Sequence, residues 1–300
     1  MDKYVRGVFP PRGSFPHQNS LGAFQNLLNF IIFAFLMGGK EKLFSKENLL
    51  MWVAFGAGSL TSLATLSRAT MTTMILGYIL TIGMSLYLKQ KKRKKKKKLK
   101  SIGIIIMMTL PGLAVLLPPI IHRFETAPKE SGESRIEANR QSAHMAHDHP
   151  LGVGINNYSF AINSLELPYA RHLKPLDRGI THNIYYLTYA ELGWIGLILH
   201  LTIIFTFMYV GIRFILRRRD SPERNFAIGA LTAVLINALH QNLEWVVFRE
   251  FAILTVYFII VGTLCSMDRV EKERIRSEKR EMMMQYYMLS MFMKRRRKRR

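Results

Sequence analysis

Seven long apolar blocks limit what this chain can fold into more than any other feature. They lie near 22–38, 49–66, 70–88, 101–121, 192–216, 226–243 and 250–267. Each approaches or exceeds the ~18 apolar residues that mark a helix able to cross a bilayer. In hydrocarbon every backbone N–H and C=O needs a partner within the protein, so such blocks read as helices. Gly and Pro inside several of them do not oppose this, because neighbouring helices re-satisfy the groups they free. The predicted fold class is all-α, a polytopic membrane protein of about seven transmembrane helices with one long outer loop. Met1 to Phe9 lacks a charged-then-apolar signal region. Cys265 is the single cysteine, which leaves no internal disulfide and no cysteine metal cluster to consider.

Charge then orients the spans. The chain has 43 Lys and Arg against 20 Asp and Glu, a net charge of +23, and the excess is concentrated in a few places. "KQKKRKKKKKLK" (89–100) is the densest short basic loop, "RRRDSPER" (217–224) comes next, and the tail from Arg269 to Arg300 is basic throughout. Short basic loops stay cytoplasmic, so all three are expected inside. That places 122–191 outside as a periplasmic loop, together with the turn "SRAT" (67–70) and residues 1–21. An amino terminus outside carrying Lys3, Arg6 and Arg12 is unusual, so further helices are expected ahead of Met1. Four parts result: helices one to four within 1–121, a periplasmic loop over 122–191, helices five to seven within 192–268, and a basic cytoplasmic tail over 269–300. Such basic runs anchor to anionic lipid. Nucleic acid is not expected as a partner, because the aromatics sit in the spans and not among the basic residues. The end of the tail, "EMMMQYYMLSMFMKRRRKRR", reads as an interfacial helix or a disordered segment.

Polar motifs collect on the outer side. "PRGSFPHQNSLGAF" (11–24) brings Arg12, His17 and Asn19 to the start of the first span. Arg68 stands in the turn between spans two and three. "EANRQSAHMAHDHPLGVGINNYSFAIN" (137–163) holds Arg140, Asn156 and Asn157, and "RGITHNIYYLTYAELGWIGL" (178–197) holds His182, Asn183 and Tyr186. Each has a bland alternative. Arg68 is equally an interface anchor, His17 and Asn19 are equally a helix start, and His182 with Tyr185, Tyr186 and Tyr189 is equally an aromatic belt. His144, His147 and His149 are not spaced for one helix face, so no metal is expected. No glycine pattern marks a dinucleotide loop.

In this order, "FPHQNSLGAF", "SRA", "NRQSAHMAHDHPLGVGINNYSF" and "HNIYYLTYAELGWIGLILHL" resemble the O-antigen ligase and O-antigen polymerase superfamily. "HQNLEWVVFREFAILTVYFIIVGTL" (240–264) is similar to the closing helices of one branch. The resemblance covers most of residues 11–267. The long lysine run and the Met-rich tail depart from it. It implies a metal-independent, GT-C-like membrane glycosyltransferase in the bacterial inner membrane, with its active site facing the periplasm. Such an enzyme moves a glycan from undecaprenyl pyrophosphate to an acceptor hydroxyl on lipid A–core, another glycan or protein. Family function rests on outward-facing arginines and a histidine. The matching positions are Arg12, Arg68 and His182, with Arg135 or Arg140 as further choices; no cofactor is implied.

Chemistry reaches the same place independently. A pyrophosphate leaving an anomeric carbon develops negative charge, and the sequence offers no DxD pair to hold a metal against it. Guanidinium groups are planar, permanently charged and bidentate toward phosphate oxygens. The acceptor hydroxyl must lose a proton, for which the ordinary imidazole pKa of ~6.5 is suitable. Thr181 is expected to cap the helix that begins at His182, fixing the ring on a rigid first turn. Two other classes fit the same composition: a transporter or flippase of lipid-linked glycans, and a non-catalytic membrane fragment. A transporter would show paired broken helices near the midplane and ionisable residues deep within spans, whereas here the ionisable residues sit mostly at the outer ends, apart from His200 and His240.

Overall fold

In a computed structural model of the chain, the described residues are 10–38, 45–87, 99–100, 102–103, 107, 114–122, 125, 130–164, 180–218, 221–245 and 250–297. They form eight principal helices: α1 (Gln18–Gly38), α2 (Lys46–Ala64), α3 (Arg68–Tyr87), α4 (Glu130–Asp148), α5 (Tyr158–Asn163), α6 (Ile184–Arg217), α7 (Pro222–His240) and α8 (Phe251–Arg297). No strand occurs among the described residues. By length and composition α1, α3, α6 and α8 can cross a membrane. The predicted spans at 49–66 and 226–243 correspond to α2 and α7, which are shorter on apolar residues because several of their polar side chains face other helices. Asn225, Thr232 and Asn237 of α7 are buried, and Thr232 meets Thr81 of α3 at 3.1 Å. Residues 101, 104–106 and 108–113 of the span predicted at 101–121 lie outside the described residues, as does the lysine run before Leu99.

α1 is the centre of the bundle, touching α2, α3, α7 and α8. It runs antiparallel to α7, since Gly38 at its end abuts Asn225 near the α7 start and Ile31 abuts Gly229 further on. A Cβ at Gly229 would lie 2.6 Å from Ile31 Cα, so only glycine permits this approach. Small residues serve membrane bundles this way because helices gain there from backbone proximity rather than from apolar burial. On α1's other side, Asn26 donates to the Thr70 carbonyl at 3.1 Å and receives Ser62 Oγ at 3.2 Å, which ties α2 and α3 to it.

These pairings bring the α1 start, the α2–α3 turn, the α6 start, the α7 end and the α8 start to one end of the bundle. Ser20 Oγ donates to Glu250 Oε1 at 3.2 Å, and Ile184 N donates to the Gln241 carbonyl at 3.0 Å. The opposite end carries ionic pairs. Arg213 bonds Asp268, and Arg218 and Arg274 converge on Glu271.

Three expectations change. The segment 122–191 is not one loop: α4 and α5 pack Met145, Tyr158 and Ile162 against Ile184 and Leu187 in a small core of their own. Residues 165–179 lie outside the described residues. The tail is not a separate unit either, since α8 continues unbroken through it to Arg297, and Glu271 within it is met by Arg218, which follows α6, and by Arg274.

The third change concerns α6, which reads as continuous in sequence but turns sharply at Gly193 (φ 66°, ψ −168°). A straight helix would place residues 185 and 200 about 22 Å apart. Instead the rings of Tyr185 and His200 lie 5.5 Å apart, so the first arm folds back along the second. The second arm, residues 194–217, is about 36 Å long at 1.5 Å per residue, enough to cross the hydrocarbon by itself. The motif "PLGVG" clamps the bend: Val153 N bonds the Ala190 carbonyl and Gly154 N the Glu191 carbonyl, both at 2.9 Å, while Trp194 N bonds the Pro150 carbonyl at 3.4 Å. These bonds take up the backbone groups that a broken helix leaves open.

Candidate functional site

The folded-back arm decides where His182 lies. It stands just ahead of Ile184, level with the α7 end, rather than at the far tip of a straight span. Asn183, not Thr181, caps the arm: its side-chain oxygen accepts from Tyr185 N at 3.0 Å and Tyr186 N at 3.3 Å. Thr181 is buried and donates from Oγ1 to Asn139 Oδ1 of α4 at 2.8 Å. His182 is therefore on the approach to the helix and not on its first turn. A cap takes over because Asn in an extended conformation reaches two free amides at once, which a residue two positions earlier cannot.

What fixes the imidazole is tertiary. Nδ1 of His182 lies 3.2 Å from Glu244 Oε2, at the end of α7. The Glu244 side chain is 5% exposed and that of His182 is 48% exposed, so the carboxylate is inside and the ring at the surface. Arg135 of α4 grips the same place twice, with Nη2 on Glu244 Oε1 and Nη1 on the Leu243 carbonyl, each at 3.1 Å. Leu243 N and Glu244 N both bond the His240 carbonyl, which closes the α7 end beneath the carboxylate. Burial raises the Glu244 pKa, but the hydrogen bond with His182 and the charges of His182, Arg135 and His240 outweigh it, and the group ends below the ordinary glutamate value. A buried carboxylate held by a guanidinium in this way stays ionised.

The other sequence-predicted residues are spread around this end. Arg68 opens α3, partly buried. Arg12 is exposed, with its guanidinium 3.5 Å from the Pro16 carbonyl. His17 Nδ1 accepts from Asn19 N at 3.2 Å at the α1 start. Arg140 sits exposed on α4, 3.9 Å from Glu137. Asn156, in a left-handed conformation (φ 64°), and Asn157, which donates to the Val153 carbonyl at 3.1 Å, belong to the turn that clamps α6. Tyr186 is 38% exposed on the folded-back arm. Direct bonds join His182 to Glu244 and Glu244 to Arg135.

A family model described as O-antigen ligase matches residues 53–201. The chain belongs to the O-antigen ligase and polymerase superfamily. Among curated proteins none matches it. The matched stretch runs from α2 into the second arm of α6, so it contains Arg68, the clamp and His182. O-antigen ligase-like glycan transfer by a membrane enzyme is the general activity that the family carries. Glu244 lies outside the matched stretch of this O-antigen ligase family member, and sequence reasoning passed over it. Its signal was present in "HQNLEW": an ionisable residue where an apolar block ends is expensive unless it has a partner and a use.

Proposed function

We propose that this O-antigen ligase family member transfers a glycan from undecaprenyl pyrophosphate to an acceptor hydroxyl, on lipid A–core or another glycan, at the periplasmic face of the bacterial inner membrane. In this reading the acceptor oxygen forms a bond to the anomeric carbon while the bond from that carbon to the pyrophosphate oxygen breaks. The hydroxyl proton passes to His182. The electron pair leaves with the pyrophosphate, whose added charge is met by Arg68 and Arg12. Fixed cationic donors of this kind contribute a few kcal/mol each when aimed at developing charge, and here they take the place a metal would have. Asn156, Asn157, Arg140 and Tyr186 contact sugar, Tyr186 by stacking; His17, Asn19 and Asn183 shape the rim. The basic segments 89–100 and 217–224 and the tail hold anionic lipid on the other side.

One observation carries this reading: a half-exposed histidine at a helix-bundle end, held by a buried carboxylate and not packed into the core. An aromatic-belt histidine has no need of such a partner.

The test is transfer by purified protein supplied with undecaprenyl-pyrophosphate-linked oligosaccharide and lipid A–core in a chelator-treated buffer. Product is expected from wild type and not from His182→Ala. Wild-type yield from His182→Ala removes the residue from the chemistry. Sidedness is tested by cysteine labelling in intact cells, where Ser131→Cys is expected to react and Ser101→Cys is not; the reverse pattern ends the periplasmic reading.

A further inference from the structure

We propose that Glu244 is the positioning residue of the site: it fixes His182 with Nδ1–H toward the carboxylate and leaves Nε2 as the bare nitrogen that meets the acceptor hydroxyl. This rests on the reading of His182 as the base, and it assigns to a residue outside the family match the task of making that base competent.

An ionised carboxylate only accepts hydrogen bonds. Glu244 Oε1 already accepts from Arg135, and Oε2 lies 3.2 Å from His182 Nδ1. The nitrogen facing it therefore carries the hydrogen, and in a neutral ring the other nitrogen carries the lone pair. Isolated histidine side chains favour the opposite tautomer, with hydrogen on Nε2, so the carboxylate is what sets this one.

The geometry is built to hold. Three elements face the carboxyl group: Arg135 from α4, His182 from the approach to α6 and His240 from α7. Arg135 is anchored a second time on the Leu243 carbonyl, so it cannot slide along the carboxylate without losing that bond. The gradient of exposure, from a 5% exposed carboxylate to a 48% exposed ring, turns the free side of the imidazole outward. When Nε2 takes the acceptor proton the ring becomes a cation, and the same carboxylate stabilises it. Such a pairing orients the base and shields its charge without itself receiving the proton. His182 alone, on an approach segment ahead of the helix cap, has no local device that would do this.

The experiment uses the full chain in detergent micelles, labelled with 15N-histidine, with the His182 signal identified by its loss in His182→Gln. Wild type is expected to show hydrogen on Nδ1, and Glu244→Gln to shift the population toward hydrogen on Nε2, because an amide can donate as well as accept. In transfer assays with undecaprenyl-pyrophosphate-linked oligosaccharide and lipid A–core, Glu244→Gln is expected to lower kcat by at least roughly 100-fold, toward the roughly 10,000-fold seen when a base is held in the wrong tautomer. KM for the donor should stay within about threefold, since uniform binding is untouched. Glu244→Asp should recover part of the loss. Hydrogen on Nε2 in wild type overturns the proposal whether or not any Glu244 variant folds. So does Glu244→Gln with wild-type kcat in a protein that His182→Ala inactivates. Full transfer by His182→Ala instead overturns the base reading itself.

Discussion

Replacing Gly193 by alanine should straighten α6 and separate the site. At φ 66° and ψ −168° the residue occupies backbone space that side chains other than hydrogen hardly enter, at a cost of about 1–3 kcal/mol. An added Cβ would also lie 2.0 Å from the Pro150 carbonyl oxygen and 2.8 Å from Leu151 backbone atoms. Neither is the end of a flexible side chain, so the clamp has to move, and with it go the bonds to Ala190, Glu191 and Trp194. At about 0.5–1.5 kcal/mol for each of these, the loss adds roughly 1.5–4.5 kcal/mol. Together that gives about 2.5–7.5 kcal/mol, enough to favour a continuous helix over the bend. His182 would then leave Glu244, because the folded-back arm is what brings them level. Thermal unfolding of detergent-purified protein is expected to fall by several degrees, and transfer to be lost. Proximity can be read directly from a Tyr185→Cys, Ala238→Cys pair, since Tyr185 Oη bonds the Ala238 carbonyl at 2.7 Å in the folded-back arm. The pair should cross-link with a short bifunctional reagent, and should stop doing so when Gly193→Ala is added. Gly56→Ala, where a Cβ meets nothing within 4 Å, is the control and should change neither property. A Gly193→Ala protein with wild-type unfolding temperature and an intact cross-link would refute the account of the bend.

Three other outcomes are expected. Glu244 has a folded-state pKa below its ordinary value, so its stabilising contribution is complete above the ordinary glutamate value of ~4.3 and is lost as pH falls through the lowered one. Unfolding temperature measured against pH should thus drop on the acid side in wild type and drop less in Glu244→Gln. At the opposite end of the bundle, Arg213 and Asp268 form a pair whose side chains are 16% and 6% exposed. Asp268→Ala should destabilise by about 2–4 kcal/mol, because it strands a partly buried cation, and a double-mutant cycle with Arg213→Ala should return most of that as coupling. Arg68→Ala and Arg12→Ala should each remove most transfer at unchanged expression, with lysine restoring only part, because a point charge does not reproduce the guanidinium fork; full activity in Arg68→Ala would return that residue to the interface-anchor reading.

The sequence by itself determined the solvent and the element type. Apolar blocks of near-spanning length admit only helices, and four of those expected coincide with helices long and apolar enough to cross a membrane. It also determined which polar residues stand at the block ends, because His182, Arg68 and His17 interrupt apolar runs where their charge or polarity has to be accounted for. The motif order carried the family, since residue types in sequence are what a family model reads. Tertiary structure alone decided the bend at Gly193. Local periodicity runs straight through "ELGWIG", and only the distant "PLGVG" turn supplies partners for the backbone groups the bend exposes. It alone decided the partner of His182, because a contact across 62 residues leaves no periodic trace. Asn183 took the cap from Thr181 for a related reason: the α4 side chain Asn139 claimed the threonine hydroxyl. Local pattern is fixed by what each residue tolerates, whereas the site is fixed by which distant groups remain unsatisfied until the chain brings them together.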